Sequence, residues 1–180
     1  PPKKEVKDAV EMASKAGIRT VMITGDHPLT AKAIAREVNI ISDNNYNPNQ
    51  IITGTEIEKL SDDEFLKILQ SIKIFARILP EQKFKIVKLL QKQKEIVAVS
   101  GDGINDVSAL KIADLGIAMG NGTEAAKSVA KMVIADNNLK IIVDAIKNGR
   151  IISDNVRKVI YYLLSSALQE ITLISLAIFS

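Results

Sequence analysis

The sequence predicts an α/β fold: a largely parallel sheet with helices on both faces, followed by one long apolar helix. Three observations carry this expectation. Helix-patterned and strand-patterned segments alternate from residue 3 to residue 135. The polar, glycine-bracketed stretch SGDGIND at 100–106 directly follows an apolar run, as expected at the carboxyl end of a buried strand. After residue 138 prolines disappear and Gly149 is the one remaining glycine, so a single continuous helix is expected there.

Val6, Ala9, Val10, Ala13 and Ala16 recur at helical spacing, and Gly17 closes the helix before a β-branched run, Ile18 to Ile23. The alternation continues. Helices are expected over 28–38, 80–93, 106–113 and 123–130, and strands over 72–76, 96–100, 115–119 and 132–135. Strands separated by helices imply right-handed crossovers and parallel pairing. SDNNYNPNQ, residues 42–50, has the composition of a surface loop or small insertion, and no internal repeat is present.

Composition narrows the function classes. The chain has 180 residues, 47% of them hydrophobic but only 4% aromatic, so its core is expected to be aliphatic. A net charge of +3 is spread over helical faces (Lys83, Lys85, Lys88, Lys92, Lys94) without interleaved aromatics, which argues against nucleic-acid binding. Cysteine is absent, which excludes disulfides, zinc–thiolate sites and thiol nucleophiles, and His27 alone cannot build a histidine metal cluster. The chain opens Pro1-Pro2, without a basic-then-apolar leader, as an excerpted or processed chain would.

Between Val159 and Phe179 the only charged residue is Glu170, and the run is close to the ~20 residues needed to cross a bilayer core. Arg150, Arg157 and Lys158 precede it, which places the α/β portion on the cytoplasmic side. A core helix buried on all sides is the competing reading, for which a chain of this size has little room. The expected organisation is an α/β domain over 1–138, a stalk helix over 139–158 and a membrane helix over 159–180.

Three polar sequences fall at predicted strand ends, where open parallel sheets bind ligands. In ITGDHPLTA, Thr24 offers a hydroxyl, Gly25 a close backbone approach and Asp26 a carboxylate; a turn capping the helix opened by Pro28 is an equal reading. In FARILPEQKFKIV, Lys83 lies one turn into a helix and could direct its ammonium at an anion, or simply be exposed. In SGDGIND, Asp102 and Asp106 share a tight turn, and hard oxygen ligands beside a phosphate are what Mg²⁺ takes; a helix cap is the alternative. No GxxxxGK[ST] loop and no EF-hand ladder occurs. GNGTE at 120–124 most simply ends a strand before the next helix. Together a hydroxyl, a lysine and paired carboxylates make a phosphoryl site: Thr24 and Lys83 for phosphate oxygens, Asp102 and Asp106 for the metal.

MITGDHPLTAKAIA, FARILPEQKFKIV, SGDGINDVSALKIADLGIAMG and GTEAAKSVAKMVIADNN together resemble, in order, the phosphorylation domain of P-type cation-transporting ATPases of the calcium and sodium/potassium pump class. LLSSALQEITL similarly resembles the ion-binding segment of that family's fifth transmembrane helix. The resemblance covers essentially the whole chain. It implies a haloacid-dehalogenase-like sheet, an aspartyl phosphate formed from ATP with Mg²⁺ and then hydrolysed, and coupling to cation transport in a multi-pass membrane protein. It further implies that Thr24, Gly25, Asp26, Arg77, Lys83 and Asn105 line the nucleotide and phosphate region. Thr24, Lys83 and Asp106 are implied as catalytic, Asp102 and Asp106 as metal ligands, and Glu170 as a ligand of the transported ion.

The chain also departs from the family pattern. No aspartate is followed by Lys-Thr-Gly-Thr, the family's nucleophile motif. The resemblance therefore puts the nucleophile strand, the nucleotide-binding and actuator domains and the other membrane helices outside this chain, leaves the sheet without an inner strand, and makes the chain inactive alone. Ser100 replaces the usual threonine, Val107-Ser108 the usual Ala-Pro, and Ala167 an asparagine ligand found in many pumps. A soluble haloacid-dehalogenase-type phosphatase is the alternative function, and a non-catalytic membrane-associated fragment is the third.

Overall fold

The structure, a computed structural model, describes residues 4–42, 47–136 and 138–179. Two compact units result, Pro1–Ile141 and Ile142–Ser180. In the first, the elements run α1 (Lys4–Lys15), β1 (Met22–Ile23), α2 (Pro28–Glu37), β2 (Ile51–Thr53), α3 (Gly54–Glu58), α4 (Asp62–Leu69), β3 (Ile74–Ala76) and α5 (Pro80–Lys92). They continue with β4 (Ala98–Gly101), α6 (Val107–Ile112), β5 (Leu115–Met119), α7 (Glu124–Val129) and β6 (Met132–Ile134). α8 (Lys140–Phe179) begins at the end of the first unit and makes up the second.

All strand pairs are parallel, as the alternation predicts, but they form two three-stranded sheets ordered β1-β3-β2 and β4-β5-β6. The continuous ladder is thus divided. A parallel neighbour must lie ~4.8 Å away to share hydrogen bonds, and among the described residues no strand occupies the outer side of β1 or of β4. Both open edges meet one side-chain layer: Val21 and Ile23 from the first and Val97 from the second pack against the cluster built on Phe65, Phe75 and Ile86.

β3 shows why the first sheet is covered on both faces. Its residues alternate: Ile74 and Ala76 pack with Val10 of α1 and Ala31 and Ala35 of α2, whereas Phe75 points to α4 and α5. The Phe65 and Phe75 rings meet edge-on, 6.4 Å apart at 82°, the arrangement the ring quadrupoles favour. In the second sheet, consecutive crossovers step in one direction, which puts α6 and α7 on the same face; Leu110, Ala118 and Ala126 form the contact there. Val87 of α5 meets Ala109 of α6 and Ala113 just after it, joining the helical layers of the two sheets.

Several boundaries differ from the sequence reading. The 18–23 strand shortens to Met22–Ile23, because only those residues find a partner, on Ile74 and Phe75. The 106–113 helix starts as a tight turn over Ile104–Asp106 and becomes α-helical at Val107. β2, α3 and α4 are additional elements, and two Ser/Thr-x-x-Glu boxes mark their helix starts: Thr53 N–H and Ser61 N–H each donate to the glutamate three residues on, at 2.7 and 2.9 Å. Of the loop expected over 42–50, residues 43–46 lie outside the described residues, and Pro48–Gln50 forms a single 3₁₀ turn.

α8 is a 40-residue helix, and within Lys140–Ile178 it holds an 18-residue stretch of mean hydropathy 1.4, apolar and long enough to cross a membrane. Its apolar side chains from Val159 to Ile178 are exposed.

Candidate active site

Because every strand is parallel within its sheet, Thr24, Arg77 and Asp102 all follow carboxyl strand ends. The loop after β1 makes its own turn: Asp26 N–H donates to Thr24 Oγ1 at 3.1 Å. The cap of α2 is His27, whose Nδ1 accepts from Leu29 N–H at 3.3 Å, so the Thr-Gly-Asp segment itself does not cap the helix. Gly25 and Asp26 are exposed, and Thr24 is half-buried.

The β3 end is sewn to this loop. Arg77 N–H donates to Asp26 O and Ile78 N–H to Thr24 O, both at 3.0 Å. Arg77 sits at φ 51°, in the left-handed region that a non-glycine residue enters only under constraint. That turn swings the chain from β3 into α5, where Pro80 occupies the first turn and Lys83 follows.

Lys83 reaches across to the second sheet. Its ammonium contacts Asp106 Oδ1 at 2.5 Å, with both side chains largely shielded at 17% and 15% exposure. The other Asp106 oxygen accepts Gly103 N–H at 3.3 Å, and Asp106 N–H donates to Gly103 O at 3.1 Å. Gly101 is required by this packing: a Cβ there would lie 2.5 Å from Asp106 Cβ and 2.8 Å from its Oδ2. Asp102 is exposed, and its carbonyl accepts Thr123 N–H at 2.8 Å, which ties the 101–106 loop to the start of α7. Asn105 is exposed on the same loop.

The structure thus brings Thr24, Gly25, Asp26 and Arg77 into one bonded group and Lys83 and Asp106 into another, with Asp102 and Asn105 on the loop that carries Asp106. Glu170 belongs to the other unit, exposed on α8. The sequence pattern does not single out Gln82, the one buried polar side chain among the described residues, or Asp114, which accepts Val97 N–H at 2.9 Å and Gln91 Nε2 at 3.1 Å. These bonds, chiefly the one from Val97, hold the Asp114 carboxyl below the usual carboxylate range.

Among the described residues no three acidic or histidine side chains gather as a metal cage. The donor set fits a magnesium ion that keeps waters and shares phosphate oxygens, a mode that needs one or two carboxylates. Asp102 is the exposed one, whereas Asp106 is already engaged by Lys83 and Gly103.

Residues 1–114 match the model of the haloacid dehalogenase-like hydrolases. The chain belongs to this family. As a haloacid dehalogenase-like chain it is also similar, almost from end to end, to P-type cation-transporting ATPases. It is 42% identical over 178 residues to calcium-transporting ATPase 1 of Lactococcus lactis, covering 99% of this chain and 20% of that protein. To calcium-transporting ATPase 1 of Bacillus cereus it is 48% identical over 179 residues, again with 99% and 20% coverage. To the chicken sodium/potassium-transporting ATPase subunit alpha-3 it is 43% identical, with 96% and 19% coverage. The chain thus spans about one-fifth of the length of these curated relatives. Among solved structures, a zinc-transporting PIB-type ATPase in an E2.Pi state superposes with a TM-score of 0.66 at 30% identity, covering 88% of this chain and 21% of that one. The catalytic domain of the CPx-ATPase CopB-B gives 0.60 at 25% identity, with 81% and 46% coverage. The resemblance of the four motifs to the P-type pumps and the α/β fold with its long apolar helix are both borne out.

Proposed function

We propose that this chain is the phosphoryl-transfer core and one membrane helix of an ATP-driven cation pump. The observation that carries the reading is the Lys83–Asp106 pair joining two half-sheets at their carboxyl ends, in a chain similar to cation-transporting ATPases over nearly its whole length.

The residues divide the work. Thr24 Oγ1 accepts the Asp26 N–H, so its hydroxyl hydrogen remains available for a phosphate oxygen. The Lys83 ammonium has three hydrogens, and Asp106 holds one of them; the others serve the oxygens of the transferring phosphoryl group as charge spreads over them. Gly25, Asp26, Arg77 and Asn105 line the nucleotide and phosphate side. Asp106 fixes the loop and the lysine, and Asp102, with Asp106 behind it, holds Mg²⁺. When bound, the ion neutralises phosphate charge and orients the group for in-line displacement.

The nucleophilic aspartate belongs to a segment outside residues 1–180, on a strand that fills the division between β1 and β4. The same longer protein supplies the nucleotide-binding and actuator domains and the remaining membrane helices. α8 comprises a stalk over 139–158 and a membrane span over 159–180, with the α/β unit over 1–138 in the cytoplasm and Glu170 on the path of the transported cation. A soluble phosphatase is the poorer reading, because it leaves the exposed apolar run of α8 without a medium.

Asp102→Asn in the full-length protein should abolish Mg²⁺-dependent phosphorylation by labelled ATP. Near-normal phosphoenzyme would overturn the assignment of Asp102.

A further inference from the structure

The buried amide of Gln82 makes three hydrogen bonds, one through its oxygen and two through its nitrogen. Its Oε1 accepts Leu79 N–H at 3.0 Å, and its Nε2 donates to Gly54 O at 3.2 Å and to Glu58 Oε1 at 2.8 Å. One side chain therefore joins the first turn of α5 to α3. Gly54 completes the joint by lacking a side chain: a Cβ there would collide with Gln82 Oε1 and lie 2.5 Å from Arg77 O. The left-handed turn at Arg77 is consequently clamped on two sides, by Gly54 and by the carbonyls of Thr24 and Asp26, which accept Ile78 and Arg77 N–H. A constrained, sparsely populated backbone conformation persists only where its surroundings over-determine it, and here they do.

We infer that Gln82 is a positioning residue for phosphoryl transfer, setting the start of α5, and hence Lys83, against the Thr24–Asp26 loop. The inference rests on the role assigned above to Lys83, and extends it to a buried amide and a glycine notch that touch neither phosphate nor metal. Losing the amide takes the acceptor from Leu79 N–H and cuts the link to Gly54 O and Glu58, leaving the helix start free to shift; a displacement of about 1 Å at a reacting group costs up to ~100-fold in rate.

The test is a double-mutant cycle in the full-length pump, reading the rate of phosphoenzyme formation at saturating ATP per active site, together with the KM for ATP. Gln82→Met keeps the volume and removes the bonds. It should slow phosphorylation about tenfold with KM changed less than about twofold, and have no further effect when Lys83 is already alanine, because the two act as one unit. An equal slowing in both backgrounds, or none in the wild type, overturns the inference while leaving Lys83 in place. A wild-type rate for Lys83→Ala alone overturns the underlying site reading, and the inference with it. Should Gln82→Met fail to accumulate in membranes, Glu58→Ala removes one partner at the surface, and a smaller slowing that vanishes in the Lys83→Ala background is expected. Additive slowing, or no slowing, refutes the inference.

Discussion

The two half-sheets differ in how they are buried. β3 has a strand on each side and helices on each face, and all three of its residues are buried. β4 has one neighbour, and its residues alternate between exposed and half-buried. The first half also holds the large side chains, with Phe65, Phe75, Ile57 and Leu69 fully enclosed, whereas the contacts of the second are mostly small: Ala109, Ala113, Ala118 and Ala126. One half is a core in its own right; the other leans on α5 and on whatever completes the open edge of β4. The Lys83–Asp106 ion pair spans this inequality, with Lys83 on the well-packed side and Asp106 on the other.

The comparison is broken most directly by removing the largest ring. Phe75→Ala should cost about 3–5 kcal/mol, and amide hydrogen exchange should show the loss concentrated in β1, β2 and β3, with β4 to β6 less affected. Equal loss in both groups would show one cooperative sheet, not two halves. Gly101→Ala tests the weaker side. The added Cβ must displace the Asp106 side chain, so overpacking should cost about 1–3 kcal/mol, with a slower phosphorylation rate in the full-length protein; normal rate and stability would mean that Asp106 is loosely held.

The smallest effect is a titration. Asp114 anchors the start of β4 through Val97 N–H, and its folded pKa is lowered. The sign follows: its contribution is fully present above the unfolded-state value, near 4, and is lost as pH falls through the lower folded value. The protection factor of the Val97 amide, its exchange rate relative to the free-peptide rate at the same pH, should fall over that acid window in the wild type and be low at all pH values in Asp114→Ala. A wild-type protection factor that does not change with pH would contradict the anchor.

Much of this was legible from periodicity and punctuation. Pro28, Pro80 and the glycine-rich loop at 101–103 mark where helices and loops begin, and the resemblance, with its Asp-Lys-Thr-Gly-Thr motif missing here, agrees with the open edges of β1 and β4 among the described residues. The 51–71 region is not legible from periodicity, because β2 is three residues long and α3 only five, too short for a period to emerge; the Thr53 and Ser61 capping boxes are the available signal. The candidate site residues are legible as types, but their pairing is not. Nothing in the sequence distance between Lys83 and Asp106 says that they touch, and Gln82 reads as an ordinary surface glutamine until Gly54 is placed beside it.

The central claim is that this site transfers phosphate to an aspartate it does not itself contain. The most direct test is to phosphorylate the full-length protein with labelled ATP and Mg²⁺, trap the acyl phosphate by borohydride reduction and map the modified residue by mass. The account predicts a modified aspartate outside residues 1–180 and no label in the Asp102→Asn variant. A reduced aspartate within this chain, at Asp26, Asp102 or Asp106, would contradict it.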